Sequence, residues 1–382
     1  MSRAVVAKLL NAPAETVVYV PNATTGVNTA LSNLVWHEDG KDEILYFSTI
    51  YGACGKTVDY VCETSRDLVQ GRVMHIRYPI EDDDLLTVFR GAIKASRAEG
   101  KTPRVAIFDT VSSLPGVRMP FESLTAICKA EGVMSLIDGA HGIGQCPIDL
   151  SALDPDFFVS NCHKWLFVPR GAAVFYVPVR NQHLIRSTLP TSHGYIPRSG
   201  RAAGTPNPLL LGNNHNSAFV RNFEFTGTID NSNYLVVPDA VKWREEVCGG
   251  EKAIMEYNTK LARDGGQLVA QILGTEVMDN STRTLTRCYL ANVRLPMTAS
   301  PTKKPGMNTV DAVHGFTAAH WMARRLAEDH KTFIAIYFFQ NQWWARLSAQ
   351  VYLDMSDFEW AGQKLKEICE RVGRETFERA KL

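Results

Sequence analysis

The chain has 382 residues, of which 45% are hydrophobic and 21% are charged, as is ordinary for a globular protein with one large and one smaller domain. Its 41 basic and 40 acidic residues give a formal net charge of +1, so the charge balance gives no reason to expect a nucleic-acid or membrane partner. No apolar stretch approaches the roughly 20 residues that a membrane span requires.

The first 180 residues alternate between apolar runs of strand length and helical stretches, which predicts a mostly parallel sheet with helices on both faces. Strands are predicted at 16–20, 43–48, 72–78, 104–109, 133–138, 156–160 and 172–177. Helices are predicted at 24–36, 52–66, 82–98 and 120–131, the last ending at Gly132. The amphipathic start of the chain is interpreted as a helix packed on the first strand.

Residues 180–222 interrupt this alternation with four prolines and several Gly and Asn residues, which is typical of a long functional or interface loop. A helical pattern returns from 234 to about 273, with a break at Gly249-Gly250. The remaining predicted elements are a strand near 284–295, a helix at 309–329, strands at 332–339 and 343–352, and a helix from 356. The sequence thus predicts a large domain over 1–275 and a smaller C-terminal α+β domain over 276–382.

The eight cysteines are scattered, and no two of them form a CxxC pair. In a chain of this size without a recognisable signal peptide, they predict reduced thiols and a cytoplasmic protein. No metal-ligand spacing, no Ser-His-Asp order and no Walker loop stands out, so the sequence predicts no metal site.

Two residues at the ends of predicted strands carry the strongest functional signal. Asp138 ends the strand at 133–138, and Lys164 follows the apolar run Phe157-Phe158-Val159. Such strand ends form the ligand-binding edge of α/β sheets. Pyridoxal phosphate needs a lysine amine for its Schiff base and an acid that keeps its pyridine nitrogen protonated. An ordinary ion pair is the alternative, but the histidines and Thr-Gly turns nearby favour the cofactor.

Two turns have the small and hydroxyl residues that let a backbone approach a phosphate. The first contains Thr24 and Thr25 between a strand and a helix, where a plain N-cap is the alternative. The second contains Thr228 in the run 225–230. The run 203–207 has similar chemistry, and Thr228 is preferred because a helix-like segment follows it.

Four further side chains are candidates, each with a simpler alternative. His163 could contact the phosphate or the substrate, His141 could hydrogen-bond the phenolic oxygen of the cofactor, and Tyr51 could stack on its ring. Core packing is the alternative for all three. Arg346, in a strand-like run, could bind an α-carboxylate through its guanidinium fork or could lie on the surface.

In this order the motifs resemble the class V (fold type I) pyridoxal phosphate enzymes. More narrowly, they resemble the branch that contains isopenicillin N epimerase, the cysteine desulfhydrases and the fungal hercynylcysteine sulfoxide lyases. The matching segments are 21–28, 51–53, 138–145, 161–166, 226–230 and 346–348, which together span nearly the whole chain.

The resemblance implies a large domain with a mostly parallel mixed sheet flanked by helices, plus a smaller α+β domain. It implies that Lys164 forms the Schiff base (the internal aldimine) with pyridoxal 5'-phosphate. Asp138 would pair with the pyridine nitrogen and His141 would meet the phenolic oxygen. Tyr51 would stack on the ring, and Ser113 falls where relatives often have an asparagine near it.

The resemblance also implies a set of binding residues in a homodimer. Thr24, Thr25 and His163 would bind the phosphate together with Thr228 of the partner subunit, and Arg346 would hold the substrate carboxylate. Relatives usually carry a longer segment before the Asn-Ala-Thr-Thr turn, including an arm that closes the active site. Only 21 residues precede Asn22 here, so this arm is expected to be missing.

The activity that the resemblance implies is carbon–sulfur lysis of cysteine or a cysteine conjugate, because that activity is common in this branch. The alternatives are an epimerase, an aminotransferase or a substitution enzyme of secondary metabolism, and a catalytically silent paralogue. A persulfide-forming desulfurase needs a cysteine on a mobile loop, and residues 180–222 contain none. The expected partner is a small amino acid substrate.

Overall fold

The computed structural model describes residues 2–191, 195, 197, 216–302 and 308–372. The chain forms two compact units. The first comprises residues 1–76, 83–111 and 120–247, and the second comprises 77–82, 112–119 and 248–382. The predicted domain division at 275 stays a prediction; helix 250–273 falls in the second unit in this grouping.

The first unit contains a sheet of seven strands, and helices lie between most of them. Its strands are β1 (Val17–Val20), β2 (Asp42–Phe47), β3 (Val69–Met74), β4 (Thr102–Asp109), β5 (Met134–Asp138), β6 (Phe157–Asn161) and β7 (Ala173–Tyr176). Its longer helices are α1 (Ser2–Leu9), α2 (Ala23–Asn33), α3 (Gly52–Thr64), α4 (Asp82–Ala98) and α5 (Phe121–Glu131). The shorter and later ones are α6 (Leu150–Leu153), α7 (Cys162–Trp165), α8 (Ala218–Glu224), α9 (Ser232–Leu235) and α10 (Val237–Glu246).

The strand order in this sheet is β1-β7-β6-β5-β4-β2-β3. Five adjacent strands are parallel to one another: β6, β5, β4, β2 and β3. The strand β7 is antiparallel to both β6 and β1. The predicted mostly parallel sheet is therefore confirmed. Because β4, β5 and β6 are parallel and adjacent, their carboxyl ends meet at one edge.

Apolar residues on both faces of the central strands explain why helices cover the sheet on two sides. On one face, Val27 of α2 and Val58 of α3 share a buried cluster with Val105 and Leu136. On the other face, the ring of Phe108 lies edge-on to that of Phe89 from α4. Each buried side chain of this size stabilises the fold by about 1.5–3 kcal/mol.

The second unit is a smaller α+β structure. It contains α11 (Gly250–Leu273), β8 (Leu290–Arg294), β9 (Thr298–Ala299), β10 (Thr309–Val310), α12 (Gly315–His330), β11 (Ala335–Phe339), β12 (Gln342–Ser348) and α13 (Met355–Val372). The strands β11, β12 and β8 form an antiparallel sheet in that order. Val269, Met322, Trp343 and Ile368 belong to one buried cluster that joins its three helices to this sheet.

Most predicted elements agree with these bounds, and three differ. The strand predicted near 284–295 is shorter, since β8 runs from Leu290 to Arg294. β3 begins at Val69 and ends at Met74, whereas the prediction ran from 72 to 78. The helix predicted from 309 begins at Gly315, since Thr309–Val310 pairs with β9 and Asp311 caps a turn of 3-10 helix. The run 203–207 lies outside the described residues. Among those that are described, no helix is both long and apolar enough to cross a membrane.

Candidate active site

Three adjacent strand ends bring polar side chains to one edge of the large sheet. β4 ends at Asp109, β5 at Asp138 and β6 at Asn161, and Lys164 follows in the single turn of α7. Asp109 and Asp138 are Cα partners in the parallel register, so their side chains leave the sheet on the same face. The sequence predicted that Asp138 and Lys164 lie at such an edge, and they do.

Two donors hold the Asp138 carboxylate, which is only 2% exposed. The Ala140 amide donates to Oδ1 over 2.9 Å, and the Cys54 thiol of α3 donates to Oδ2 over 3.2 Å. Burial raises the pKa of Cys54, and the neighbouring Asp138 raises it further, so this sulfur keeps its proton. Hydrogen bonds from both groups fix the orientation of the Asp138 side chain.

Lys164 lies beside His141, which the sequence had placed in the site. The Lys164 Nζ is 2.9 Å from His141 Nε2, and the Trp165 indole donates to His141 Nδ1 over 3.0 Å. His141 is 8% exposed, and Gln145 donates to its carbonyl. An amine, an imidazole and an indole thus form one connected chain of hydrogen bonds.

Arg244 of α10 holds the two turns that carry Lys164 and His141. Its side chain is completely buried, and it donates to the Trp165 carbonyl over 2.7 Å and to the Gly144 carbonyl over 3.2 Å. The guanidinium also lies 4.6 Å from the centre of the Phe167 ring. Gly144 has a φ of 78°, and a Cβ there would lie 2.6 Å from the Trp165 carbonyl oxygen. Sequence reasoning missed Arg244, because nothing near it in the chain marks its contacts.

The N-terminus of α2 lies close to β6. The Asn22 side chain accepts from the Thr25 amide, and the Asn161 side chain accepts from the Ala23 amide, each over 2.8 Å. A Cβ on Gly26 would lie 2.6 Å from a methyl of Val159, so glycine permits this close approach. Among the described residues, the amide and hydroxyl of Thr24 have no hydrogen-bond partner. These two donors remain available to an anion at the helix N-terminus.

His163 has a fixed orientation on α7. Its Nδ1 is 2.8 Å from the Ala172 carbonyl oxygen and 3.3 Å from the Ala172 amide nitrogen, and the shorter contact favours a proton on Nδ1. Burial lowers the pKa of His163, and the nearby charges of Lys164 and Arg170 lower it further. The ring is therefore neutral near pH 7, and its contact with a phosphate stays a prediction.

Tyr51 and Thr228 lie at exposed turns. Tyr51 precedes α3, and its side chain is 48% exposed. Thr228 lies between α8 and α9 and is exposed. The stacking of Tyr51 on a ring and the contact of Thr228 across a dimer both stay predictions.

Arg346 and Ser113 meet within the second unit. Arg346 lies on β12 and donates to the Ser113 carbonyl over 2.5 Å. Its Nε is buried without a hydrogen-bond partner in the described part of the chain, and burial lowers the pKa of its guanidinium. A Cβ on Gly116 would lie 2.6 Å from its Cδ, so glycine leaves room for the side chain. A largely buried cation with an unused donor is suited to a carboxylate.

Asp109 is a site residue that the sequence analysis missed. It is 7% exposed, and burial together with the neighbouring Asp138 raises its pKa well above the usual value, although Lys164 lowers it. An aspartate at the end of a strand has no distinctive pattern in the sequence that marks it as a site residue. The parallel register with Asp138 identifies it, and that register appears only in the folded sheet.

We expect Asp109→Asn to change how stability depends on pH. The folded carboxyl holds its proton at pH values where the unfolded one, with a pKa of about 3.9, has released it. Stability is therefore lost as pH rises above about 4 towards the raised pKa, at about 1.4 kcal/mol per pH unit for one proton. Asparagine has no proton to release in this pH range. The free energy of unfolding of the variant should therefore increase relative to that of the wild type as pH rises.

Chemical denaturation of the cofactor-free protein at a series of pH values measures this difference. Asp84→Asn, at an exposed position on α4, is the matched control. If the free energies of unfolding of the wild type and Asp109→Asn changed in parallel with pH, Asp109 would be ionised in the folded protein over that pH range.

The donor set fits pyridoxal phosphate. Lys164 supplies an amine, Asp138 a buried carboxylate for a ring nitrogen, and Thr24 two donors for a phosphate. The fold and this site define a pyridoxal phosphate enzyme of fold type I.

Comparisons with known proteins agree. The class-V aminotransferase family model matches residues 1–209. The L-cysteine desulfhydrase-like protein lolT1 of Epichloe uncinata is 40% identical over 380 residues, covering 96% of this chain and 82% of that protein. The hercynylcysteine sulfoxide lyase of Schizosaccharomyces pombe is 29% identical over 364 residues, covering 95% and 82%. The chain belongs to the class-V aminotransferase family.

A solved structure confirms the fold. The cystine C–S lyase C-DES, in complex with cysteine persulfide, superposes with a TM-score of 0.69 at 18% identity, covering 97% of this chain and 85% of that one. The predicted fold class is thereby confirmed, and the family match and the two relatives confirm the predicted family and cofactor.

Proposed function

We propose that the protein is a carbon–sulfur lyase that acts on cysteine or a cysteine conjugate. The observation that carries the proposal is the Lys164 amine, held 2.9 Å from His141 at the edge where Asp138 ends the neighbouring strand. The names of the two relatives, a desulfhydrase-like protein and a sulfoxide lyase, support the cleavage of a carbon–sulfur bond.

The roles of the site residues follow from their chemistry. Bound pyridoxal phosphate supplies an electron sink that stabilises negative charge at the substrate Cα. Asp138 keeps the pyridine nitrogen protonated, because its carboxylate is buried and already oriented by two donors. The Lys164 amine would hold the cofactor, and as a free amine it would serve as the base that takes the Cα proton of the substrate. His141 donates to the phenolic oxygen from Nε2.

The remaining residues bind and orient. Thr24 and Thr25 would hold the phosphate, and Thr228 of the partner subunit would complete this set in a homodimer. A neutral His163 with its proton on Nδ1 has no donor for the phosphate, so its predicted contact with the phosphate is not part of this set. Tyr51 covers the ring, with Ser113 near it. A cytoplasmic location is part of the proposal, because the scattered cysteines of the sequence include no CxxC pair and predict reduced thiols.

Loss of the Cα proton allows the carbon–sulfur bond at Cβ to break, and the bonding electrons leave with sulfur. The three-carbon product then takes up a proton and loses its nitrogen to water, giving pyruvate and ammonia. Without a leaving group at Cβ, the proton returns to carbon. The same residues then support epimerisation or transamination, so the substrate decides the outcome.

Pyruvate release tests the proposal. The full-length protein, loaded with pyridoxal phosphate, is incubated with L-cysteine and with several cysteine sulfoxides. We expect pyruvate and ammonia in equal amounts, over many turnovers, from at least one of them. L-alanine, which lacks the Cβ sulfur, should give no ammonia and at most one pyruvate per cofactor, the yield of a half-transamination. Exchange of the Cα hydrogen with deuterium from the solvent, without pyruvate from any of these substrates, would instead indicate an epimerase.

We expect Arg346→Lys to weaken substrate binding. Lysine keeps the positive charge but loses the fork that binds a carboxylate through two parallel hydrogen bonds. A hydrogen bond to a charged group contributes about 1.5–3 kcal/mol, so KM should rise roughly 10- to 100-fold. Steady-state kinetics measure the change.

Arg294→Lys is the matched control for this variant. Arg294 lies on the adjacent strand β8 and forms an ion pair with Glu276. It should leave KM unchanged, because it has another partner. Equal KM values for Arg346→Lys and the wild type would rule out Arg346 as the carboxylate site.

A further inference from the structure

The Trp165 side chain has a contact that sequence reasoning gave no role. Its indole N–H lies 3.0 Å from His141 Nδ1, and both side chains are less than 9% exposed. An indole nitrogen can only donate. His141 Nδ1 must therefore accept, which means that this nitrogen carries no proton.

The tautomer of His141 follows from this contact. A neutral imidazole without a proton on Nδ1 carries its proton on Nε2, and Nε2 lies 2.9 Å from the Lys164 Nζ. The lysine nitrogen accepts this proton only as an uncharged amine, which is also its nucleophilic form. An imidazolium would instead place a second N–H against the indole N–H, with no acceptor between them.

We propose that Trp165 is a positioning residue that fixes His141 as the neutral Nε2–H tautomer, so that His141 always presents a donor to the site. Towards the cofactor, this proton would meet the phenolic oxygen. That consequence rests on the proposed function. The tautomer itself does not, since it is a property of the protein alone.

The surroundings of Trp165 fix the geometry. Arg244 donates to its backbone carbonyl, and a Cβ on Gly144 would collide with the same group. The titratable and charged groups near this turn include Lys164 on α7, Asp138 and Asp109 at the ends of β5 and β4, and Arg244 on α10. His163, two residues before Trp165, has its Nδ1 closest to the Ala172 carbonyl oxygen, which favours the opposite tautomer.

Two-bond ¹⁵N–¹H correlation spectra of histidine-labelled protein distinguish the two tautomers. In the cofactor-free full-length chain we expect His141 to show a proton on Nε2 and His163 to show one on Nδ1. We also expect His141 to resist protonation between about pH 5 and 8, where an ordinary histidine titrates. A proton on Nδ1 of His141, or an ordinary titration, would overturn the proposal without any variant.

Trp165→Phe removes the indole donor and keeps an aromatic ring. We expect His141 to take up a proton at a higher pH in this variant than in the wild type, and the loaded enzyme to lose activity on acidification at a correspondingly higher pH. Trp243→Phe is the control: Trp243 is 44% exposed and packs against Phe167. It should leave the spectrum of His141 unchanged.

An unchanged His141 in Trp165→Phe would refute the role of the indole. If that variant does not fold, the wild-type spectrum alone decides. If the proposed function is wrong, the lyase assay will show no pyruvate. The tautomer is measured on protein without cofactor or substrate, so its result does not depend on that assay.

Discussion

Lys164→Ala should remove the visible absorption band of the protein loaded with pyridoxal phosphate. The band arises from a Schiff base, and within this site Lys164 offers the amine nitrogen, which lies 2.9 Å from His141 Nε2. The variant also loses the base at the substrate Cα, so turnover should fall by on the order of 10²–10⁴-fold. An absorbance scan and the pyruvate assay measure the two effects.

Lys129→Ala is the control for the lysine variant. Lys129 lies on α5, is 70% exposed and forms a surface ion pair with Asp154. Its removal should change stability by less than about 1 kcal/mol and should leave the absorption band in place. A band that persists in Lys164→Ala would mean that another amine carries the cofactor.

Asp138→Asn should leave the Schiff base intact and still slow the reaction. Asparagine has nearly the same size, but it cannot carry the charge that keeps a pyridine nitrogen protonated. Loss of one such electrostatic contact typically costs on the order of 10²–10³-fold in turnover. We therefore expect the visible band of the loaded variant to be present while pyruvate release falls.

Asp59→Asn is the control for the aspartate variant, since Asp59 is half exposed and lies on α3, the helix that also carries Cys54. Thermal unfolding of both variants shows whether folding is affected. Turnover of Asp138→Asn equal to that of the wild type would remove Asp138 from the proposed mechanism.

The sequence was sufficient for the parts of the fold that depend on local patterns. Apolar runs of strand length predicted the seven strands of the large sheet, and Gly132 correctly ended α5 with a left-handed backbone. β3 was misplaced because its apolar residues are sparse, and Gln70, Gly71 and Arg72 obscure its start. The parallel pairing with β2 defines that strand, and such pairing is not visible in a single segment.

The site was predictable only where residues near in sequence carry the signal. Asp138, His141 and Lys164 lie within or beside recognisable runs. Cys54, Asp109 and Arg244 do not, yet each contacts or neighbours the predicted residues after folding. Their roles arise from strand register and from contacts over 79 or more residues of chain, which is why local patterns could not reveal them.

The long reach of Arg244 also limits how this enzyme can be divided or redesigned. A fragment that ends at residue 209, where the match to the family ends, would keep Asp138, His141 and Lys164 but lose the guanidinium that joins their two turns. Transplanting the lysine segment into another scaffold would require a matching cation from a distant helix. The working unit for protein engineering is thus the sheet edge together with α10, rather than the contiguous stretch that carries the recognisable motifs.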